Sequence, residues 1–317
     1  MRIARSADAN AAIAARDLTR TFGALTAVNA LTVDVAPGEL FGLVGPDGAG
    51  KTTTLRMLAG VLRPTSGDAT VHGVSIARDP EGVKHHIAYM SQRFGLYTDL
   101  TVRENMEFYA DLYEVSPAER AARRERLYQF SNLGPFEHRL AGQLSGGMKQ
   151  KLGLCCALIH QPKILLLDEP TLGVDPISRR DLWLILDEMV SQGVTVFVST
   201  AYMDEAERCD HVALIEKGRI MALDTPAALQ ASMRGQILAV TTPDTRRAVD
   251  VLRAVPVVRR ATMFGDTIHV VVAGDGRSRA HIRGALEAAG VPTLDVQEVE
   301  ASLEDVFIER VSQGAAV

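Results

Sequence analysis

The sequence has no long apolar run. Its apolar stretches are strand-sized, such as Ile164-Leu165-Leu166-Leu167 and Val270-Val271-Val272-Ala273, whereas a membrane-spanning helix needs about twenty apolar residues. A soluble chain is therefore expected. Cysteine is scarce: Cys155, Cys156 and Cys209 are odd in number and lack metal-ligand spacing. That excludes a disulfide framework and a zinc site, and it suits a reducing, intracellular compartment. Positive charge is not in excess either, with 34 Lys+Arg against 39 Asp+Glu and a net charge of −5. Such a balance gives no bulk pull toward nucleic acid or anionic lipid, and no nucleic-acid partner is expected. Heptad runs, internal repeats and low-complexity tracts are missing. The opening MRIARSADANAAIAARD is Ala-rich but broken by Arg5, Asp8, Asn10 and Arg16, so it has no continuous signal-peptide core. Residues 1–15 are expected to be a flexible leader.

What is present is a chain of 317 residues, long enough for about two domains. Apolar residues make up 47% and charged ones 23%, ordinary values for a globular protein. Residues 16–42 read as two short β segments around Gly23. The buried-strand pattern LFGLVG (40–45) then runs into a glycine-rich loop and a helix carrying Leu55, Met57, Leu58 and Val61. Residues 98–143 change to helical character. Thr101-x-x-Glu104 and Ser116-Pro117-x-Glu119 both have the form of capping-box starts, and Val102, Met106, Tyr109 and Tyr113 share one helical face. An α/β pattern returns with LSGG (144–147) opening a helix, strand ILLLD (164–168), a helix from Asp175-Pro176, strand VTVFVST (194–200), and a hairpin through Lys217-Gly218. Strands alternating with helices imply a mostly parallel sheet covered on both faces. After residue 233 the order β-α-β-β-α-β predicts a ferredoxin-like α+β domain over 234–317. There Ser302 is a candidate N-cap, with Asp305 standing where a full capping box has the longer Glu or Gln.

Gly45-Pro46-Asp47-Gly48-Ala49-Gly50-Lys51-Thr52 fits the phosphate-binding pattern G-x-x-x-x-G-K-[ST], between a strand and a helix where that loop must sit. Its glycines let backbone N–H groups curve around phosphate oxygens, and the helix N-terminus adds its dipole. Lys51 can reach β- and γ-phosphates, and the Thr52 hydroxyl can ligate Mg²⁺. Asp168-Glu169 closes a buried strand. One carboxylate there can hold Mg²⁺ through water and the next can polarise an attacking water. Taken alone, the pair also reads as a surface acidic cap.

With Leu144-Ser145-Gly146-Gly147-Met148 the chain resembles the ATP-binding cassette (ABC) ATPases, whose signature motif this is. By itself LSGG is equally an ordinary helix N-cap. The resemblance covers residues 16–233 as a nucleotide-binding domain, with 98–143 as its helical subdomain. It implies that two cassettes meet head to tail, so that Ser145, Gly146 and Gly147 of one touch the ATP held by the other. It further implies an adenine-stacking aromatic at Phe22, which otherwise reads as a core aromatic. Thr53 joins the loop's nucleotide contacts, Gln92 takes the place of the Q-loop glutamine that touches Mg²⁺, and Asp175 takes the D-loop position, though before Pro176 it is also a plain N-cap. Glu169, Lys51 and Gln92 are then the catalytic set, Thr52, Gln92 and Asp168 the metal set, and ATP and Mg²⁺ the cofactors. Two positions depart from the family pattern. Asp47 stands where Asn is common and is expected to point away from the phosphates. Ala201 stands where a switch histidine usually contacts the γ-phosphate. Loss of one such contact costs on the order of 10²–10³ in rate.

The stretch 89–115 and the segment Ser302–Phe307 resemble the ABC-2 type drug and antibiotic exporters. The resemblance implies the ATP-binding and hydrolysing subunit of an exporter, acting on a separate transmembrane permease from the cytoplasmic face of the membrane, with a second cassette as homodimer partner. Two rival readings remain open: a regulatory cassette weakened at Ala201, and a soluble non-transport ABC ATPase.

Overall fold

The computed structural model describes residues 10–92, 95–273 and 278–314. It divides into two compact units, Met1–Pro226 and Ala227–Val317. The division falls at the start of a short helix, ahead of the expected boundary after residue 233.

In the first unit, β1 (Ile13–Phe22) and β2 (Leu25–Val35) form an antiparallel pair turned by Gly23 at φ 56°. β3 (Leu40–Val44) and helix α1 (Lys51–Leu58) follow, then β4 (Ser66–Val71) and β5 (Val74–Ser75), which extend the first sheet in the order β2-β1-β4-β5. The strands around Gly23 are longer than expected, and β1 reaches into the stretch assigned to the leader. Ile13 and Ala15 are fully buried, and Ile13 pairs with both Val35 and Val71. An alanine-rich stretch carries little strand signal by itself; its neighbours on both sides supply it. Residues 1–9, the rest of the expected leader, lie outside the described residues.

The second sheet adds β6 (Ile87–Met90), β7 (Ile164–Asp168), β8 (Thr195–Thr200), β9 (His211–Glu216) and β10 (Arg219–Asp224), in the order β10-β9-β3-β8-β7-β6. All neighbours are parallel except the β9–β10 hairpin, so the mostly parallel sheet stands. β3, β7 and β8 are buried at every residue, as continuous apolar runs covered on two faces should be. Phe41 and Phe197 stack at 5.0 Å between the two central strands. His85 and His86 link the short helix α2 (Pro80–Lys84) to β6.

The helical part runs through α3 (Val102–Leu112) and α4 (Pro117–Ser131). Thr101 and Glu104 close a reciprocal capping box on α3. The second expected box does not form: the Glu119 N–H is taken by the Ser116 carbonyl at 3.0 Å, so the Ser116 hydroxyl donates to the Glu119 carboxylate instead. Helices α5 (Gly146–Leu158), α6 (Pro176–Ser191) and α7 (Met203–Ala206) complete the unit, and α8 (Pro226–Ala231) crosses the division.

The second unit contains β11 (Gln236–Thr241), α9 (Thr245–Arg253), β12 (Val258–Phe264), β13 (Thr267–Val272), α10 (Ser278–Ala288), β14 (Asp295–Val299) and α11 (Leu303–Gly314). Its antiparallel sheet has the order β12-β13-β11-β14, the ferredoxin-like arrangement. Leu238, Val240, Leu252, Ile268, Ile282 and Leu286 form its core. Ser302 does close a full capping box with Asp305, contrary to the expectation from length: Ser302 N–H donates to Asp305 Oδ2 at 3.1 Å, and Asp305 N–H donates to Ser302 Oγ at 3.2 Å. The short carboxylate is held in reach because His269 on β13 also binds it, at 3.0 Å.

Candidate nucleotide-binding site

The site grows from the C-terminal edge of the parallel sheet. Gly45 follows β3 and donates to the Thr200 carbonyl at 3.3 Å. A β-carbon at Gly45 would lie 2.1 Å from the Ile215 carbonyl oxygen, so the chain passes β9 too closely for any side chain. Gly50 needs glycine twice over: its φ is 107°, and a β-carbon would meet the Ala27 carbonyl oxygen at 2.5 Å. That left-handed residue turns the loop straight into α1, whose N-terminus has no side-chain cap and no acidic residue in its first turn. Its first N–H groups, uncapped by any side chain and carrying the positive end of the helix dipole, are suited to an anion.

Lys51 is buried at 4% exposure. Its Nζ donates to the Gly45 and Pro46 carbonyls at 2.7 and 3.0 Å and pairs with Glu169 at 2.9 Å. Thr52 Oγ1 donates to Asp168 Oδ1 at 3.0 Å. Asp168 is 1% exposed, and burial raises its carboxyl above the usual range, against the lowering pull of Ser199 and Thr52. Glu169 leaves β7 in the left-handed region at φ 50°, which swings its side chain to Lys51. Gln92, just beyond β6, donates to the second Glu169 oxygen at 3.1 Å. Lys51, Thr52, Gln92, Asp168 and Glu169, drawn from three separate stretches of sequence, thus converge.

A cavity of about 460 Å³, within the size range of small-molecule sites, is lined by four of them, Lys51, Thr52, Gln92 and Glu169, together with Gly48, Gly50, Thr53, Phe22 and Leu25. Phe22 is 45% exposed, not a core aromatic, and the Arg20 guanidinium lies 4.5 Å from its ring centre. Asp47, expected to point away, lines the cavity. The residues present suit Mg²⁺: a carboxylate and a hydroxyl oxygen 3.0 Å apart at the foot of a phosphate loop are the hard oxygen donors this ion takes, with phosphates and water completing its shell.

Other predicted residues stand elsewhere. Ser145 caps α5 by accepting from Met148 N–H at 3.3 Å, and a β-carbon at Gly147 would strike Ser178 of α6 at 2.2 Å. Asp175 caps α6, accepting from Ser178 N–H at 2.9 Å; that backbone hydrogen bond lowers its carboxyl. Neither Ser145, Gly146, Gly147 nor Asp175 is among the cavity's lining residues. Ala201 is also absent from the lining. The turn around it is pinned by Thr200 Oγ1, which donates to the buried Glu205 at 2.6 Å and accepts from Tyr202 N–H at 3.0 Å.

Two side chains at the site escaped the sequence reading. Ser199 Oγ donates to Asp168 Oδ1 at 2.9 Å, and Tyr89 Oη reaches Asp168 Oδ2 at 3.5 Å. Both lie on strands flanking β7, β8 and β6. The available signal was a polar residue at the end of an otherwise apolar strand.

Residues 28–172 match the family model described as "ABC transporter". The chain is 43% identical over 285 residues to the Escherichia coli (strain K12) protein named "Probable multidrug ABC transporter ATP-binding protein YbhF", covering 89% of this chain and 49% of that one. It thus spans about half the length of the first relatives it matches. To the "Nod factor export ATP-binding protein I" of Paraburkholderia xenovorans (strain LB400) it is 37% identical over 302 residues, covering 94% of this chain and 96% of that one. Among solved structures, "Structure of ATP binding subunit of ABC transporter" superposes with a TM-score of 0.64 at 30% identity over 69% of this chain and 92% of that one. A cassette solved as a dimer with ADP and Pi superposes at a TM-score of 0.61 and 23% identity, over 67% of this chain and 98% of that one, a likeness of fold alone. With 37% identity sustained across nearly the full length of an export ATP-binding protein, the chain belongs to the ABC transporter ATP-binding family.

Proposed function

We propose that the chain binds Mg-ATP in this cavity and hydrolyses it, as the ATP-binding subunit of an exporter. The observation that carries the reading is the convergence of Lys51, Thr52, Gln92 and Glu169 on one cavity, with Asp168 bonded to Thr52 beside it. Lys51 and the α1 N–H groups bind the β- and γ-phosphates, Phe22 offers a flat face to adenine, and Thr52 and Asp168 hold Mg²⁺. The ion, when bound, neutralises charge on the phosphate oxygens. Glu169 orients the attacking water, and Gln92 steadies Glu169. The Lys51 ammonium that now pairs with Glu169 is the group a γ-phosphate recruits, so nucleotide entry frees the Glu169 carboxylate for the water.

Ser145, Gly146, Gly147 and Asp175 serve a second cassette's nucleotide, with a homodimer as the working unit; their position outside the cavity supports that reading. The membrane partner is a separate permease. No helix among the described residues is long and apolar enough to cross a membrane, and Tyr97, Phe108, Leu112 and Tyr113 expose apolar surface on the helical part where a permease helix can dock. The chain then sits on the cytoplasmic face of the membrane. The relatives' names support export of a drug or other small molecule. Ala201 favours a second reading, a slow or regulatory cassette.

Mg-ATP turnover measured across a wide protein concentration range tests this, with Glu169→Gln as the paired control. Turnover rising faster than linearly and vanishing in the control is the expected outcome. ATP binding without turnover favours the regulatory reading, and recovery in Ala201→His assigns the deficit to the missing histidine. A chain that binds no ATP refutes both.

A further inference from the structure

The end of β8 holds a hydroxyl, that of Ser199, bonded to both acidic residues of the site. Ser199 is fully buried. The parallel register of β7 and β8 sets it directly beside Asp168. Its Oγ donates to Asp168 Oδ1 at 2.9 Å and accepts from the Glu169 N–H at 3.1 Å, while its carbonyl accepts from the same N–H, also at 3.1 Å. One side chain therefore engages both acidic residues of the site. On Asp168 it shares Oδ1 with the Thr52 hydroxyl, while Oδ2 has, among the described residues, the long contact from Tyr89 at 3.5 Å. On Glu169 it anchors the backbone of a non-glycine residue held at φ 50°, a conformation that persists only where the surroundings impose it.

We infer that Ser199 is a positioning residue for the site: its hydroxyl fixes the orientation of the Asp168 carboxylate that would hold the metal, and it holds Glu169 in the left-handed turn that aims its carboxylate into the cavity. The inference rests on the Mg-ATP reading above. Ser199 is fully buried and is not among the cavity's lining residues; it acts through its two neighbours. Partners that orient a metal-binding carboxylate typically contribute about 10–100-fold to metal affinity or activity, and that is the scale expected here.

The test uses the full chain with a non-hydrolysable ATP analogue and Mn²⁺ as the probe, followed by electron paramagnetic resonance, beside steady-state turnover. Ser199→Ala should weaken Mn²⁺ binding and lower kcat by about tenfold or more, while analogue binding in EDTA stays at the wild-type value. Ser199→Thr, which keeps the hydroxyl, should retain Mn²⁺ affinity. Ser199→Cys keeps the volume with a poor donor and should behave as Ser199→Ala does, which covers the case in which Ser199→Ala fails to fold. Wild-type Mn²⁺ affinity in Ser199→Ala or Ser199→Cys overturns the inference, as does a loss in Ser199→Thr equal to theirs. A wild-type chain that binds neither the analogue nor Mn²⁺ overturns the reading of the cavity, and the inference with it.

Discussion

Replacing Asp305 by alanine should destabilise the C-terminal unit by several kcal/mol, and the amount can be built from its bonds. The residue is 1% exposed. Its Oδ2 accepts from Ser302 N–H at 3.1 Å, from Ser302 Oγ at 2.8 Å and from His269 Nδ1 at 3.0 Å. Losing the capping half of this arrangement costs about 1 kcal/mol. Losing the buried partner of His269 costs roughly 1–3 kcal/mol more, because the imidazole is left without its acceptor. The sum is about 2–4 kcal/mol. Burial alone would raise the Asp305 carboxyl, but hydrogen bonds from His269 and Ser302 outweigh it and hold the carboxyl below its ordinary value. A depressed folded-state value means the ionised form stabilises the fold at every pH above the unfolded carboxylate range of about 4, and the contribution is lost as pH falls through the depressed value. The gap between wild type and Asp305→Ala should therefore be full at neutral pH and close in acid. Urea unfolding followed by far-UV circular dichroism measures it. Trp183, the only tryptophan, lies in the first unit, so its fluorescence reports that unit separately. Asp305→Asn should fall between, keeping a capping oxygen without the charge. A Asp305→Ala penalty under about 0.5 kcal/mol at neutral pH would refute the ledger of bonds.

Three further outcomes follow from the geometry. Gly45→Ala puts a β-carbon 2.1 Å from the Ile215 carbonyl oxygen, so β3 and β9 must part; fluorescent-nucleotide titration should show binding lost, and thermal unfolding a cost of about 1–3 kcal/mol. Burial pushes the Cys155 thiol to about 11 and the Cys209 thiol to about 12, and Cys156 well above its usual value; a thiol-disulfide reagent at pH about 8 should label all three only after denaturation, and rapid labelling of the native chain would contradict this. Thr101→Ala removes the capping box on α3 and should cost about 1 kcal/mol, visible as faster hydrogen exchange in the first turn of that helix.

The part of the site that was legible in the sequence is the part fixed by local order. A buried strand running into Gly45–Lys51 and a helix leaves that loop one place to be, and Asp168-Glu169 at the end of ILLLD reaches the same sheet edge because parallel strands align their ends. What escaped depends on register between distant strands. Nothing in VTVFVST says that Ser199 faces Asp168 across 31 residues of chain. Side-chain length alone argues against the Asp305 capping box, because the pull of His269 comes from another strand. The start of β1 reads as leader because Ala12–Ala15 owes its burial to β2 and β4. The Ser116 start failed in the opposite sense: its pattern is right, yet the backbone took the donor first.

The charge in the buried cluster bears on which nucleotide species the site can accept. Asp168 and Glu169 bring two carboxylates; Lys51 brings an ammonium already shared with Glu169, and Arg56 acts on Asp168 through its charge. Burial raises the Asp168 carboxyl and the neighbouring Glu169 charge adds to that, against the lowering pull of Ser199, Thr52 and Arg56. A polyphosphate entering this cavity adds several negative charges beside Asp47, one more carboxylate at the lining. Lys51 cannot neutralise Glu169 and a γ-phosphate together. The α1 N–H groups carry only partial charge, roughly half an elementary charge at the helix end. A divalent cation, which Asp168 and Thr52 would hold, would supply the remaining balance. On this argument the metal belongs to binding as much as to hydrolysis: nucleotide alone, in EDTA, should bind more weakly than its Mg²⁺ complex, and the difference should shrink in Asp168→Asn, where one of the opposing charges is gone.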